Sequence, residues 1–297
     1  MSVDAGTYDT IIVGAGSAGC VLANRLSADP NARVLLLEAG GKDDFFWIHV
    51  PLGIFRTLGN PRTDWCYTSE AEAGLNGRAI PIPRGRVLGG SSSINGMVYI
   101  RGQSRDYDHW RQLGNRGWSW DDVLPYFKRH EDFCDGANEW HGAGGELRVE
   151  VPRVRWEILD AFVEAAAQRG IPKVADLNRG DNEGVAHAHM TTRRGVRASA
   201  ARAFLRPAMH RKNLRVITGA QVKSLRLDGK RVTGSNSGKA ARCVSRSRGA
   251  RWCCRRDPSA RRNSCKCPAS APARCCANTG SRCGTRFRAS ATTCRIT

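Results

Sequence analysis

The chain has 297 residues and a formal net charge of +20, from 47 lysines and arginines against 27 acidic residues. The charge is uneven, because residues 235–297 hold 15 of the basic residues, a single acid and nine of the twelve cysteines. Three dispersed cysteines in residues 1–234 exclude a disulfide-stapled domain there, and no run of about 18 apolar residues exists for a membrane span.

The amino terminus runs directly into an apolar segment, without a basic region followed by a long apolar one. This pattern predicts no secretory signal. With the dispersed cysteines, it predicts a protein of the cytoplasm, or one peripheral to a membrane. The length allows one large domain or two ordinary ones.

The first 41 residues predict a strand, a tight turn, a helix and a second strand. Residues 8–13 (YDTIIV) are apolar and β-branched, GAGSAG follows at once, CVLANRLSAD has helical spacing, and residues 33–41 (RVLLLEAGG) form a second buried strand. Gly14, Gly16 and Gly19 occupy the G-x-G-x-x-G positions. The first glycine permits the turn, the second lets the backbone approach a pyrophosphate, and the third lets the helix pack on the strand.

The same unit offers groups for a phosphate and a ribose. A pyrophosphate would lie at the positive end of the helix, near the amides of Ser17 and Ala18. Glu38 ends the second strand, where its carboxylate would accept hydrogen bonds from adenosine ribose hydroxyls. The pattern favours dinucleotide binding over a glycine turn without a ligand, and it does not separate FAD from NAD.

Residues 83–102, PRGRVLGGSSSINGMVYIRG, form a second glycine- and serine-rich segment. Its free amides and hydroxyls suit phosphates or a polar ring edge, and the apolar residues that follow argue against a plain surface loop. The segment closely resembles the first signature of the glucose–methanol–choline (GMC) flavin oxidoreductases. This resemblance argues against an NAD enzyme.

Further segments resemble the same family, at its choline-dehydrogenase-like and alcohol-dehydrogenase-like branch. The resemblance covers nearly all of residues 5–234 and ends abruptly at Gly234. It is carried by DWCYTSEAEAGLNGR (64–78), DYDHWRQLGNRGWSWDDVLPYFKRHED (106–132), DLNRGDNEGVAHAHM (176–190) and RASAARAFLRPAMHRKNLRVITGAQV (197–222).

The resemblance implies FAD as cofactor and a set of residues that bind it. The first glycine turn would hold the pyrophosphate, the second segment would line the flavin, and a residue of the returning strand would meet the adenine through its backbone. The family histidine that bonds covalently to the flavin in some members is here Ile94, so the FAD would be non-covalent. The implied residues are Gly14, Gly16, Ser17, Ala18, Gly19, Glu38, Ala39, Val87, Gly89, Gly90, Ser91, Asn95, Gly96, Met97, Val98 and Val222.

The resemblance also implies an α/β fold, with a Rossmann-like FAD-binding domain and part of an α+β substrate-binding domain. The expected bounds are 1–144 and 211–234 for the FAD-binding domain and 145–210 for the start of the substrate-binding domain. The implied reaction is hydride transfer from a CH–OH donor to the flavin, with a small alcohol and an electron acceptor as partners. The family's catalytic histidine lies beyond the residues of this chain, so we expect no catalytic residue and an inactive, truncated protein.

Residues 235–297 have another composition, without Leu, Glu, Tyr, His or Met. Besides cysteine, the only sizeable apolar residues are Val244, Trp252, Phe287 and Ile296. So little apolar surface cannot offset the entropy of ordering, which predicts a disordered tail.

Back-translation offers an origin for this tail. We wrote the first two bases of each codon, left the third base open, and reread the chain one base out of frame. In that frame the codons of Gly234 and the next three residues permit VEF, and those of residues 250–257 permit EVVLSAG. The codons of residues 258–266 permit IGSPQLLQ, and those of 286–297 permit LPGVGDNLQDH. These strings resemble the family's next segments in order, including its second signature. We therefore predict that residues 235–297 are a frameshift product.

Two alternatives remain for the tail. A zinc module needs C-x-x-C pairs or cysteine and histidine at fixed spacing, and the tail has adjacent cysteines and no histidine. A basic arm would bind nucleic acid through phosphates without sequence specificity. Outside the tail, His187 and His189 predict a polar strand face rather than a metal site, and His141 predicts a turn.

Overall fold

The computed structural model describes residues 4–228, 231–237, 242–245 and 251–254. The described strands are β1 (Asp4–Tyr8), β2 (Thr10–Val13), β3 (Val34–Leu37), β4 (Tyr67–Thr68), β5 (Pro81–Ile82), β6 (Glu131–Phe133), β7 (Leu147–Val149), β8 (Thr192–Arg193), β9 (Val196–Arg197), β10 (Leu214–Ile217), β11 (Val222–Asp228), β12 (Arg231–Ser237), β13 (Arg242–Ser245) and β14 (Arg251–Cys254).

The described α-helices are α1 (Ser17–Leu26), α2 (Phe46–His49), α3 (Ile54–Thr57), α4 (Ser104–Gln112), α5 (Trp120–His130), α6 (Glu157–Gln168) and α7 (Arg206–Ala208). The chain also forms short 3₁₀ turns at Pro51–Gly53, Ala73–Leu75 and Gly90–Ser93 and a π-helical turn at Ala201–Leu205.

A four-stranded parallel sheet with the order β10-β3-β2-β14 organises the amino-terminal part of the fold. Thr10 pairs with Val34 and Val13 with Leu37, so the two predicted strands lie side by side. All four side chains of β3 are buried, as expected for a parallel strand covered on both faces. The predicted α/β fold class is confirmed.

Two apolar cores lie on the two faces of this sheet, because successive strand side chains point to opposite sides. Ile12 and Leu36 pack with α1 and with residues 200–208, whereas Ile11, Leu35 and Leu37 form a second cluster with residues near β11.

Residues 200–208 form part of the core around α1. Phe204, Leu205 and Ala208 are buried there, and Asn24 of α1 donates a hydrogen bond of 2.7 Å to the carbonyl of Phe204. The segment therefore packs with the amino-terminal unit, although the sequence analysis assigned it to the substrate-binding domain. The domain bounds themselves stay a prediction.

A second sheet has the order β1-β13-β12-β11, with β1 and β13 parallel and the other pairs antiparallel. Of residues 235–297, the structure describes 235–237, 242–245 and 251–254, which lie in strands β12, β13 and β14, and the predicted disorder of the tail stays a prediction. In β14, Arg251 pairs with Thr10 and Cys254 with Val13. Such pairing uses backbone groups, which every residue except proline supplies in full. The remaining tail residues lie outside the described ones.

Within the described ranges, no helix combines the length and the apolar character that crossing a membrane requires.

Candidate cofactor site

The first glycine turn joins β2 to α1 and has the strain and close packing that its sequence predicts. Gly14 has φ 93°, in the left-handed region that favours glycine, and its amide donates to the carbonyl of Leu37 at 2.7 Å. A Cβ built on Gly19 would lie 1.9 Å from the carbonyl oxygen of Gly14. Only glycine therefore lets α1 approach the turn so closely.

Gly16 differs from its neighbours, because a Cβ built on it meets no atom within 4 Å. It precedes α1, makes no side-chain cap, and the first helical turn holds no acidic residue. The amides of Ser17 and Ala18 therefore remain at the positive end of the helix, with Ser17 exposed and Ala18 half-buried. An anion is what such a helix start binds.

Glu38 is only 6% exposed and connects the end of β3 to the glycine turn. Its Oε2 accepts from the amide of Ala15 at 2.7 Å, and its Oε1 accepts from the amide of Gly40 at 2.8 Å. Burial raises the pKa of this carboxyl, and the two amide donors oppose that shift. Glu38 thus braces the turn, a role that the sequence analysis missed. Its predicted contact with a ribose stays a prediction, as does a role for the half-buried Ala39 beside it.

The second glycine segment packs directly on the first. The amide of Gly89 donates to the carbonyl of Ala15 at 2.7 Å, and a Cβ on Gly90 would lie 2.7 Å from the Cα of Gly16. Gly40 fits equally tightly, since its Cβ would lie 1.9 Å from the carbonyl oxygen of Arg86. The two motifs therefore form one continuous backbone surface, although about 70 residues separate them in the sequence.

The other predicted cofactor residues fall into two groups around this surface. Val87 and Met97 are buried, Ser91 is half-buried at the 3₁₀ turn, and Asn95, Gly96 and Val98 are exposed. Ile94, the position at which the resemblance implies a flavin-linked histidine in some family members, is buried as well. Val222 packs instead on the second core at the far face of the sheet, so its predicted role depends on its backbone alone.

A family model described as GMC oxidoreductase matches residues 8–251 of this chain. The chain belongs to the GMC oxidoreductase family. The predicted family and its flavin chemistry are confirmed, with FAD as the family's cofactor. The matched range passes beyond Gly234, the residue at which the resemblance was expected to end. It includes the described strands β12 and β13.

Curated relatives in this GMC family include choline dehydrogenases. The chain is 44% identical over 229 residues to the oxygen-dependent choline dehydrogenase of Vibrio vulnificus, covering 76% of this chain and 41% of that protein. It is 44% identical over 234 residues to human mitochondrial choline dehydrogenase, covering 76% of this chain and 39% of that one. The chain thus spans about two fifths of the length of these relatives.

Solved GMC structures share the fold. Pyridoxine 4-oxidase from Mesorbium loti superposes with a TM-score of 0.77 at 39% identity, covering 80% of this chain and 48% of that one. An FAD-dependent oxidoreductase from Chaetomium thermophilum gives a TM-score of 0.72 at 31% identity, covering 78% of this chain and 42% of that chain.

A buried charge network, which the sequence analysis missed, lies apart from the glycine loops in this GMC chain. Glu131 is fully buried and accepts from Arg101 Nη2 at 2.8 Å, His141 Nδ1 at 2.9 Å and the amide of Gly142 at 2.9 Å. The Nε2 of His141 lies 2.9 Å from Asp176 Oδ2. The sequence predicts only a turn at His141, whereas the structure shows its ring buried between two carboxylates. No local spacing pattern signals such a contact.

The network shifts the pKa values of its members. Burial alone would lower the pKa of His141, but hydrogen bonds to Asp176 and Glu131 outweigh it and raise the pKa. Burial would raise the pKa values of Glu131 and Asp176, but the imidazole and neighbouring donors lower both. The charged forms of all three groups are therefore favoured in the folded state.

We expect the unfolding free energy to fall on both sides of neutral pH. Glu131 and Asp176 stabilise the fold above their ordinary pKa values of 4.5 and 3.8, and this is lost as the pH falls through their lowered folded values. His141 stabilises it below 6.5 and loses its contribution as the pH rises through its raised folded value. Urea unfolding across pH measures both arms. His141→Gln should flatten the alkaline arm, and an unchanged alkaline arm in that variant would contradict the assignment.

The two histidines at 187 and 189 do not share a face. His187 lies 2.8 Å from Asp160, whereas His189 lies 3.5 Å from Asp176. Neither belongs to a described strand, so the predicted polar strand face is wrong at these positions. Among the described residues, no group of three His, Cys, Asp or Glu side chains is arranged to hold a metal ion.

Proposed function

We propose that this chain binds FAD non-covalently and forms the cofactor-binding part of an oxidoreductase that acts on the CH–OH group of a small alcohol. The observation that carries the proposal is the packing of two glycine segments, Gly14–Gly19 and Gly89–Gly90, into one surface with open space at Gly16. The residues fit the cofactor, because the turn leaves open space at Gly16, next to the first amides of α1.

The chain's own residues bind and orient the cofactor. The amides of Ser17 and Ala18 would hold the pyrophosphate, and the segment from Val87 to Val98 would line the flavin. Glu38 holds the turn through its hydrogen bonds from the amides of Ala15 and Gly40. When bound, the flavin supplies the acceptor for the hydride of the alcohol. Isoleucine at position 94 favours non-covalent binding, since this side chain offers no nucleophile.

The substrate class comes from the relatives. The named relatives are choline dehydrogenases and a pyridoxine oxidase, which supports a small alcohol as donor and a separate electron acceptor as partner. We propose no catalytic base among the described residues.

Gly16→Ala provides the test of the cofactor site. Its φ of −71° accepts alanine, and the new Cβ contacts no protein atom, so stability should stay within about 0.5 kcal/mol of wild type. The same Cβ would obstruct the pyrophosphate, so we expect the Kd for FAD to rise at least about tenfold, which corresponds to about 1.4 kcal/mol. Titration by FAD fluorescence, with urea unfolding in parallel, measures both quantities.

Gly74→Ala is the matched control, because a Cβ there also meets nothing within 4 Å, in an exposed turn. It should leave both stability and FAD affinity unchanged. Wild-type protein without measurable FAD binding, or a Gly16→Ala protein with wild-type affinity, would overturn the proposed site.

We further infer that residues 235–297 are translated out of frame and that the chain as written does not oxidise an alcohol. The alternative frame supports this, because the codons of residues 250–257 then permit EVVLSAG, an apolar segment, whereas the written residues Arg251–Cys254 carry RWCC in a parallel strand beside β2. Between the two permitted strings, the shifted codon made from the last base of the Asp257 codon and the first two bases of the Pro258 codon permits serine or proline.

The nucleotide sequence around codon 234 tests the frame directly. One missing or extra base there is the expected result, and an intact frame in independent genomic reads would contradict it. Alcohol-dependent dye reduction by the purified chain would overturn the inferred inactivity.

A further inference from the structure

Arg197, at the end of β9, is a fully buried cation without an acidic partner among the described residues. Its Nε donates to the carbonyl of Ile48 at 2.7 Å. Its Nη1 donates to the carbonyl of Asn95 at 2.7 Å, to the Oδ1 of Asn95 at 2.9 Å and to the carbonyl of Ser92 at 3.3 Å. Every acceptor is therefore neutral.

The second terminal nitrogen of Arg197, Nη2, is buried and has no hydrogen-bond partner within the part of the chain that the structure describes. A buried ion without a counter-ion costs several kcal/mol, and an unsatisfied buried donor adds to that cost. Burial accordingly lowers the pKa of Arg197 to about 10, which still leaves it charged at neutral pH. A charge kept at such a cost needs a reason beyond folding, and a bound group that gains from it supplies one.

The contacts of Arg197 converge on one segment, the Ser92–Met97 loop. Asn95 Oδ1 accepts from the amide of Met97 at 3.1 Å as well as from the guanidinium. Met97 has φ 63°, a left-handed conformation that a long side chain rarely adopts, and its carbonyl accepts from the amide of Thr191 at 2.8 Å. The guanidinium thus joins α2, the loop and β9, and it fixes the loop through its backbone.

We propose that Arg197 is a positioning residue for the flavin, which holds the Ser92–Met97 loop against the cofactor and places an uncompensated positive charge next to it. The inference rests on the proposed function, in which this loop lines the flavin. Flavin reduction by a hydride adds two electrons and one proton, so the reduced form gains one negative charge. A nearby cation with no counter-ion stabilises that form more than the oxidised one.

Two substitutions in the full chain separate charge from hydrogen bonding. Arg197→Met removes both, so we expect the Kd for FAD to rise at least about tenfold and the midpoint potential of bound FAD to become more negative, by about 30 mV for each tenfold change in the two-electron equilibrium. Arg197→Lys keeps the charge with fewer donors, so the potential should stay near wild type while the affinity falls. Arg62→Met removes an exposed arginine that pairs with Asp44 and should change neither quantity.

A purely structural role would lower stability in both Arg197 variants and leave the potential unchanged. A folded Arg197→Met protein with wild-type FAD affinity and potential overturns the inference. If Arg197→Met does not fold, Arg197→Lys decides, since a wild-type affinity in a destabilised protein also overturns it. Wild-type protein that binds no FAD overturns the proposed function as a whole, whereas normal wild-type binding with unaffected variants overturns the role of Arg197 alone.

Discussion

Gly19→Ala is expected to lower the unfolding free energy by about 3 kcal/mol and to abolish FAD binding. The new Cβ would lie 1.9 Å from the carbonyl oxygen of Gly14 and 3.0 Å from its carbonyl carbon, both backbone atoms that cannot rotate away. Relief requires α1 to move off β2, which also disturbs the buried residues Cys20 and Ala23 of the first core. Urea unfolding of the full chain and FAD titration measure the two losses.

Comparison with Gly16→Ala makes this result specific. The two positions lie three residues apart in one turn, yet only Gly19 is closed by protein atoms. We therefore expect Gly19→Ala to lose stability and cofactor together, and Gly16→Ala to lose cofactor alone. Equal stability of the two variants would show that α1 does not pack against the turn as described.

The second large effect is expected for Glu131→Gln, which should destabilise the fold by about 3 to 5 kcal/mol. The amide keeps the size of the side chain but removes the negative charge between Arg101 and His141, whose side chains are at most 2% exposed. The His141 imidazole would then keep Asp176 as its anion, whereas the buried Arg101 guanidinium would lose Glu131, its ion-pair partner among the described residues.

The matched control is Glu164→Gln, which removes a carboxylate from an exposed pair with Lys173, both side chains being more than half exposed. Exposed pairs contribute about 0 to 1 kcal/mol, so this variant should remain within that range. Denaturant unfolding at neutral pH compares the two. A Glu131→Gln protein no less stable than Glu164→Gln would show that the network does not carry the charge assigned to it.

In this GMC chain, the glycine turn and the buried charge network stabilise the fold through different interactions. The turn depends on backbone contacts between glycines, so its failure is steric. The network depends on charge, so its failure follows pH. Cys20 lies next to the glycine turn, in the first turn of α1. Its thiol donates to the carbonyl of Ala15 at 3.2 Å, and burial raises its pKa to about 12. It is a packed apolar group and not a nucleophile of the site.

Local pattern determined much of the site. The apolar runs before and after the turn, and the glycine spacing at 14, 16 and 19, follow from short-range rules of strand, turn and helix, so the strand–turn–helix–strand unit was predictable. The second glycine segment was recognisable by its resemblance to the GMC signature. For the tail, the sequence predicted the composition but not the pairing of its described strands with β1 and β2.

Only the tertiary structure decided which of these groups act together. The carboxylate of Glu38 turns to the amides of Ala15 and Gly40, Gly90 packs on Gly16, and Arg197 reaches the Ser92–Met97 loop across about 100 residues of sequence. No period in the sequence encodes such contacts, because they arise when distant segments pack at atomic contact and buried polar groups must find partners. The amino-acid sequence by itself therefore determined the kind of site and its first glycine turn, whereas three-dimensional packing determined which residues hold it in shape.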